Sequence, residues 1–94
     1  MTRHTIYFCG RVQGVGFRYT TRAIARGFAV AGYVQNLPDG CVRLVAEGEP
    51  TELDAFVKAI VDQMGPYIDG RTMDRTDATG EFGKPTPGML TIRH

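Results

Sequence analysis

A four-residue stretch near the middle of the chain, "LPDG" at Leu37–Gly40, sets the strongest limit on what the chain can fold into. Proline presets one backbone angle and glycine accepts a positive φ, so the chain reverses here. A run rich in β-formers lies on either side, "VAGYVQN" (Val30–Asn36) before and "CVRLVAEG" (Cys41–Gly48) after. Two such runs joined by so short a turn form a hairpin and pair antiparallel. Helical patterns frame the hairpin. Phe17, Thr21, Ile24 and Phe28 fall on one face of a helix running from Phe17 to about Arg26. Leu53, Phe56, Val57, Ile60 and Met64 make the apolar stripe of a second helix. Thr51 and Asp54 can form its capping box just after Pro50, and Gly65–Pro66 ends it.

"HTIYFC" (His4–Cys9) reads as an opening strand and "MLTIRH" (Met89–His94) as a short closing one. Between the second helix and that end, "RTMDRTDA" (Arg71–Ala78) is a strand candidate and "TGEFGKPTPG" (Thr79–Gly88) is loop. The order is β-α-β-β-α-β with an extra strand. It predicts an α+β chain, a ferredoxin-like α/β sandwich with an antiparallel sheet of four or five strands and two helices on one face. Ninety-four residues hold one modest core, so residues 1–94 are expected to form a single domain. Met64, Met73 and Met89 read as filler in that core. His4 reads as structural or solvent-facing. Such a fold hosts many functions, so function has to come from a site.

Several function classes are excluded early. No apolar run approaches the roughly 18 residues of a membrane span. The opening "MTRHTIYFCG" lacks the apolar segment of a signal peptide, so a cytoplasmic monomer without a membrane partner is expected. Cys9 and Cys41 are too few for a zinc cage, and no other cluster has metal-ligand spacing, so neither metal nor cofactor is expected. The sheet order brings the two cysteines to the same end of neighbouring strands. A cytoplasmic setting nevertheless disfavours a bond, and free thiols are expected. Residues 1–38 carry five arginines (3, 11, 18, 22 and 26) and no acid, whereas the remainder carries six basic and ten acidic residues. The halves are therefore +5 and −4. Either the arginines are solvated helix-face charges or they make a local field for a small anion. A nucleic-acid partner is not expected, since no lysine-rich run or RNP-type aromatic motif accompanies them.

The anion reading has a candidate seat in "GRVQGVGFR", Gly10–Arg18. If the helix begins near Arg18, this loop lies between a strand end and a helix N-terminus, where backbone N–H groups are unpaired and the dipole is positive. Gly14 and Gly16 let successive amides point into one concavity, and Arg18 adds a planar fork of donors at its mouth. The loop is neither a P-loop nor a dinucleotide fingerprint, because the Gly-Lys-Ser/Thr and the glycine spacing are missing. A tight turn carrying a surface arginine accounts for these residues equally well.

"GRVQGVGFR", followed by "GYVQNLPDGCV" and "VAEG", resembles the acylphosphatase family. The resemblance is densest from Gly10 to Gly48 and runs more loosely through the second helix. It implies a five-stranded sheet with two helices, and metal-independent hydrolysis of carboxyl–phosphate mixed anhydrides, with a small-molecule acyl phosphate as the partner. By resemblance, Arg18 matches the arginine that binds the phosphoryl group. The amides of Gly14, Val15, Gly16, Phe17 and Arg18 match the phosphate cradle, and Asn36 matches the asparagine that positions the attacking water. The chain departs from the family in having Ala29 where a glycine is frequent, Tyr33 for a frequent tryptophan and Leu90 for a closing phenylalanine. Read without the resemblance, Asn36 is a turn-former, as Asp39 is. A noncatalytic phosphate- or carboxylate-binding module would use the same cradle but would need no water-positioning amide. A domain serving a larger carbamoyl-transfer protein is a further alternative, against which the lack of appended sequence argues.

Overall fold

The computed structural model describes residues 1–94. Five strands and two helices follow in the order β1 (Thr2–Gly10), α1 (Phe17–Ala25), β2 (Ala31–Asn36), β3 (Val42–Gly48), α2 (Pro50–Met64), β4 (Ile68–Asp77) and β5 (Met89–Arg93). A single 3-10 turn, Gly65–Tyr67, links α2 to β4. The strands form one sheet in the order β4-β1-β3-β2-β5. The hairpin expected at Leu37–Gly40 forms, with Asn36 opposite Val42. β1 pairs antiparallel with β3 and β4, while β5 runs parallel to β2 along one edge.

Alternation along β1 explains how the helices are held. His4, Ile6 and Phe8 point to the helix side and are buried. Ile6 and Phe8, together with Leu44, Ala46, Val34, Leu90 and the apolar stripe of α2, build the core. From α1, Phe17 and Ala25 belong to that core and Ile24 packs against it, as does Phe28 just beyond the helix. The opposite face of the sheet has its own cover. Residues 78–82 fold across it, with the Phe82 ring 5.9 Å from the Tyr33 ring and beneath the Arg3 guanidinium at 5.2 Å.

Several local expectations are corrected. The N-cap of α2 is Glu49 with no side-chain cap, because the helix opens at Pro50, ahead of the Thr51–Asp54 pair. Glu52 instead accepts a hydrogen bond from the Ala29 amide at 3.0 Å, tying α2 to the link between α1 and β2. Met64 is in the core, but Met73 is 47% and Met89 38% exposed, since both lie on edge strands. β4 begins three residues earlier than its sequence pattern, at Ile68, because pairing with β1 rather than its own alternation defines it. Its charged side chains blunt that edge against further pairing.

Cys9 and Cys41 are joined in a disulfide, contrary to the expectation of free thiols. Phe8 is opposite Val42 in the antiparallel β1–β3 register, so the next residue out on each strand is a cysteine, with Cα atoms 4.4 Å apart. The register brings the sulfurs together.

Candidate active site

The link between β1 and α1 is six residues, Arg11–Gly16, and both of its ends are anchored. Val12 is fully buried. Phe17 is nearly so, its ring 5.2 Å from that of Phe8. Gly14, Val15 and Gly16 stay exposed between these anchors. Gly14 (φ 81°) and Gly16 (φ 76°) adopt left-handed conformations. A Cβ on either would meet nothing within 4 Å, so the backbone conformation, not space, calls for glycine. Gly16 is the N-cap of α1, and its carbonyl accepts the first helical bond from the Thr20 amide at 2.9 Å. No side chain caps this end and no acid occupies the first turn. The leading amides of α1 are therefore left for an outside acceptor, at the positive end of the helix.

Arg18 is the second residue of α1 and Asn36 the last of β2. Alternation puts Asn36 on the same sheet face as buried Val34, the face that α1 covers. The two residues, 18 apart in sequence, line one cleft of about 230 Å³ with Val12, Gly14, Gly16, Phe17 and Tyr19. Of the cradle residues expected from sequence, Val15 alone does not line it; its side chain is 38% exposed. Asp39 is the turn residue expected, accepting from the Cys41 amide at 3.0 Å.

Two contacts that the sequence reading did not foresee bear on the cleft. Gln13 Nε2 donates to the carbonyls of Leu37 (2.8 Å) and Cys41 (3.0 Å), bracing the glycine loop against the turn that follows Asn36. Arg18 Nη1 lies 3.2 Å from His94 Nδ1, a donor facing the ring nitrogen in the tautomer that leaves it unprotonated. Nothing in the residue types announces either contact. Gln13 bonds to backbone, and His94 comes from the far end of the chain.

The ion pairs join Arg3 to Glu47 and Glu81, Lys58 to Asp62, and Arg75 to Asp54. Arg18 has no carboxylate within ion-pair distance. No three His, Cys, Asp or Glu side chains converge on a common point. Two buried titratable groups lie away from the cleft. His4, on the helix side, accepts at Nε2 from Arg75 Nε at 3.0 Å. Its pKa is held below the ordinary 6.5, first by burial and then by Arg75, with Asp54 opposing. Glu47 sits on the opposite face of the sheet.

The acylphosphatase family pattern matches residues 4–83. An acylphosphatase of Archaeoglobus fulgidus is 56% identical over 63 residues, covering 67% of this chain and 68% of the relative. The fold superposes on a crystal structure of acylphosphatase from Bacillus subtilis with a TM-score of 0.83 at 30% identity, covering all of both chains. It also superposes on part of full-length HypF, crystallised in a phosphate- and nucleotide-bound form, with a TM-score of 0.79 at 26% identity. That match covers 99% of this chain and 12% of the larger protein.

Proposed function

We propose, for a chain that belongs to the acylphosphatase family, that Arg18, the Gly14–Arg18 amides and Asn36 together carry the hydrolysis of an acyl phosphate. The chain is an acylphosphatase; the roles of its residues are our reading. The phosphoryl group sits in the glycine loop, its oxygens facing the free amides of α1 and the Arg18 guanidinium. The Asn36 side-chain amide, which can accept from and donate to a water, holds the nucleophile opposite the leaving group. Water oxygen bonds to phosphorus as the P–O bond to the acyl group breaks. The carboxylate departs with that electron pair, and the water proton passes to a phosphoryl oxygen. The products are a carboxylate and inorganic phosphate.

Little chemistry is asked of the side chains. A carboxylate leaves as a stable anion and needs no strong general acid. The transition state is loose, so the water needs placing more than activating, and charge on the equatorial oxygens needs preorganised donors. The observation that carries the reading is that Arg18, Asn36 and the left-handed glycines line one cleft with no carboxylate paired to its arginine. A simple anion binder would have no use for Asn36 there.

The test is turnover of acetyl phosphate, followed as loss of the anhydride. Arg18→Ala should lower kcat/KM by at least about 10²–10³, the usual cost of one preorganised donor. Arg18→Lys should recover little, because a point charge lacks the fork. Dialysis against a chelator should leave the rate intact. Near-wild-type turnover in Arg18→Ala would overturn the residue assignment.

A further inference from the structure

From a second site beside the cleft we infer that the acyl half of the preferred substrate carries its own negative charge, as in the monoacyl phosphate of a short dicarboxylic acid. The inference rests on the catalytic reading above and adds the part of the substrate that reading leaves open. Arg18, Arg22 and Arg26 recur every four residues, so they share one face of α1 and its C-cap. Beside that face, against β5, runs a groove of about 520 Å³ lined by Arg22, Arg26, Gly88, Leu90, Thr91 and Ile92. Leu90 and half-buried Ile92 give it a small apolar part, and Arg22 and Arg26 give it a cationic one.

No acidic side chain pairs with that cationic part. Arg22 rests over the Tyr19 ring at 5.4 Å, and neither Arg22 nor Arg26 is ion-paired. No acidic side chain occurs among residues 1–38 or in the segment from Gly88 to His94. Half-buried Arg22 is thus a guanidinium with no carboxylate side chain paired to it, one helical turn beyond the arginine assigned to the phosphoryl group. An apolar stem ending in a carboxylate satisfies both surfaces.

The spacing narrows the occupant. Four residues of helix rise about 6 Å. In an extended four-carbon diacid the distal carboxylate lies about 6 Å from phosphorus, five bonds away. Arg22 therefore meets that carboxylate while Arg18 keeps the phosphoryl group. Arg26, about 12 Å along the helix from Arg18, is out of contact with so short a chain and adds only to the field.

The experiment compares succinyl phosphate with acetyl phosphate, whose acyl group is uncharged, on the whole chain and on Arg22→Gln. Arg22 is outside the catalytic cradle, so acetyl phosphate turnover reports that the variant is folded and competent. We expect the wild-type protein to favour succinyl phosphate in kcat/KM by about tenfold, the size of one charge-assisted hydrogen bond. Arg22→Gln should remove that preference through KM, with acetyl phosphate changed by less than about twofold. Raising the salt to about 0.5 M should shrink the wild-type preference, because a half-exposed pair is screened. Equal use of both substrates by the wild-type protein, or an equal loss on both in Arg22→Gln, overturns the inference and leaves the Arg18–Asn36 reading standing. Failure to hydrolyse either substrate overturns both.

Discussion

Glu47 offers the most demanding test of how this sheet is covered. It lies in the interior of β3 with its side chain 2% exposed, yet it is fully engaged. One carboxylate oxygen accepts from Arg3 Nε at 2.7 Å, the Thr79 amide at 2.9 Å and the Thr79 hydroxyl at 2.9 Å. The other accepts from the Gly80 amide at 3.0 Å. Arg3 extends the network to Glu81 and lies over Phe82, so one carboxylate fastens residues 79–82 to the face of the sheet opposite the helices. Burial by itself raises the pKa of such a group. The Thr79 amide, Arg3, the Gly80 amide and the Thr79 hydroxyl together outweigh it and bring the value down to about 2 from 4.5. At 1.36 kcal/mol per pH unit, that gap is about 3 kcal/mol of native stability.

The sign follows from linkage. The unfolded chain binds the proton more readily, so the contribution is complete above about pH 4.5 and is lost as pH falls toward 2. Glu47→Gln should cost about 3 kcal/mol at pH 7, which for a domain of this size lowers Tm by roughly 10–20 °C. Urea unfolding followed by circular dichroism between pH 7 and pH 2 checks both size and shape. The wild-type stability should fall more steeply than that of the variant below pH 4.5, and the two should converge near pH 2. Hydrolysis per folded molecule should be unchanged, because Glu47 is outside the cleft. Glu47→Gln within about 0.5 kcal/mol of wild type at pH 7, or parallel curves below pH 4.5, would refute the reasoning.

Asn36→Ala should lower kcat by about 10² or more while the inhibition constant of inorganic phosphate stays put; a loss of stability with activity per folded molecule preserved would return Asn36 to a turn-forming role. Asn36→Asp should fold and be nearly inactive at neutral pH, since it sets a negative charge beside the phosphoryl oxygens. Reduction of Cys9–Cys41, which spans 32 residues, should destabilise the chain by about 3–4 kcal/mol. Thiol titration of the unreduced, denatured protein should find no free groups, and two groups would show the bond to be absent. His4, held below its ordinary pKa by burial and Arg75, supplies stability that is complete above about pH 6.5 and is lost as pH falls from there. His4→Phe should flatten the dependence of unfolding free energy on pH between 6.5 and 5, and an unchanged slope would assign that dependence elsewhere.

What could be read from the sequence follows from where each signal is stored. The hairpin, α1 and α2 are written in local pattern. A turn needs proline and glycine at Pro38 and Gly40, and an amphipathic helix needs apolar residues at helical spacing. β4 is exposed along almost its whole length, so it has no alternation to show, and only its pairing with β1 makes it a strand. Met73 looked like core for the same reason: residue type says apolar, while position on an edge is a property of the sheet. Glu47 reads as one more charge in an acidic half of the chain, because its ligands are two amides, a hydroxyl and an arginine far away in sequence.

The cleft divides along the same line. Gly14, Gly16 and Arg18 are legible because an amide nest demands glycine and an anion invites arginine. What holds Asn36 at their side is not legible, because it is made of backbone and register. Gln13 grips two carbonyls, Leu37 O and Cys41 O, and a carbonyl belongs to every residue. The disulfide follows from Cys9 and Cys41 being the next pair beyond Phe8 and Val42 in the ladder. Both links join the segment that leads into the glycine loop to the turn that leads out of Asn36. They cross the gap that, in the proposed reaction, Arg18 and Asn36 span around one phosphoryl group. The residues proposed to do the chemistry thus come from two local motifs, and the distance between them is set by contacts whose partners residue type does not reveal.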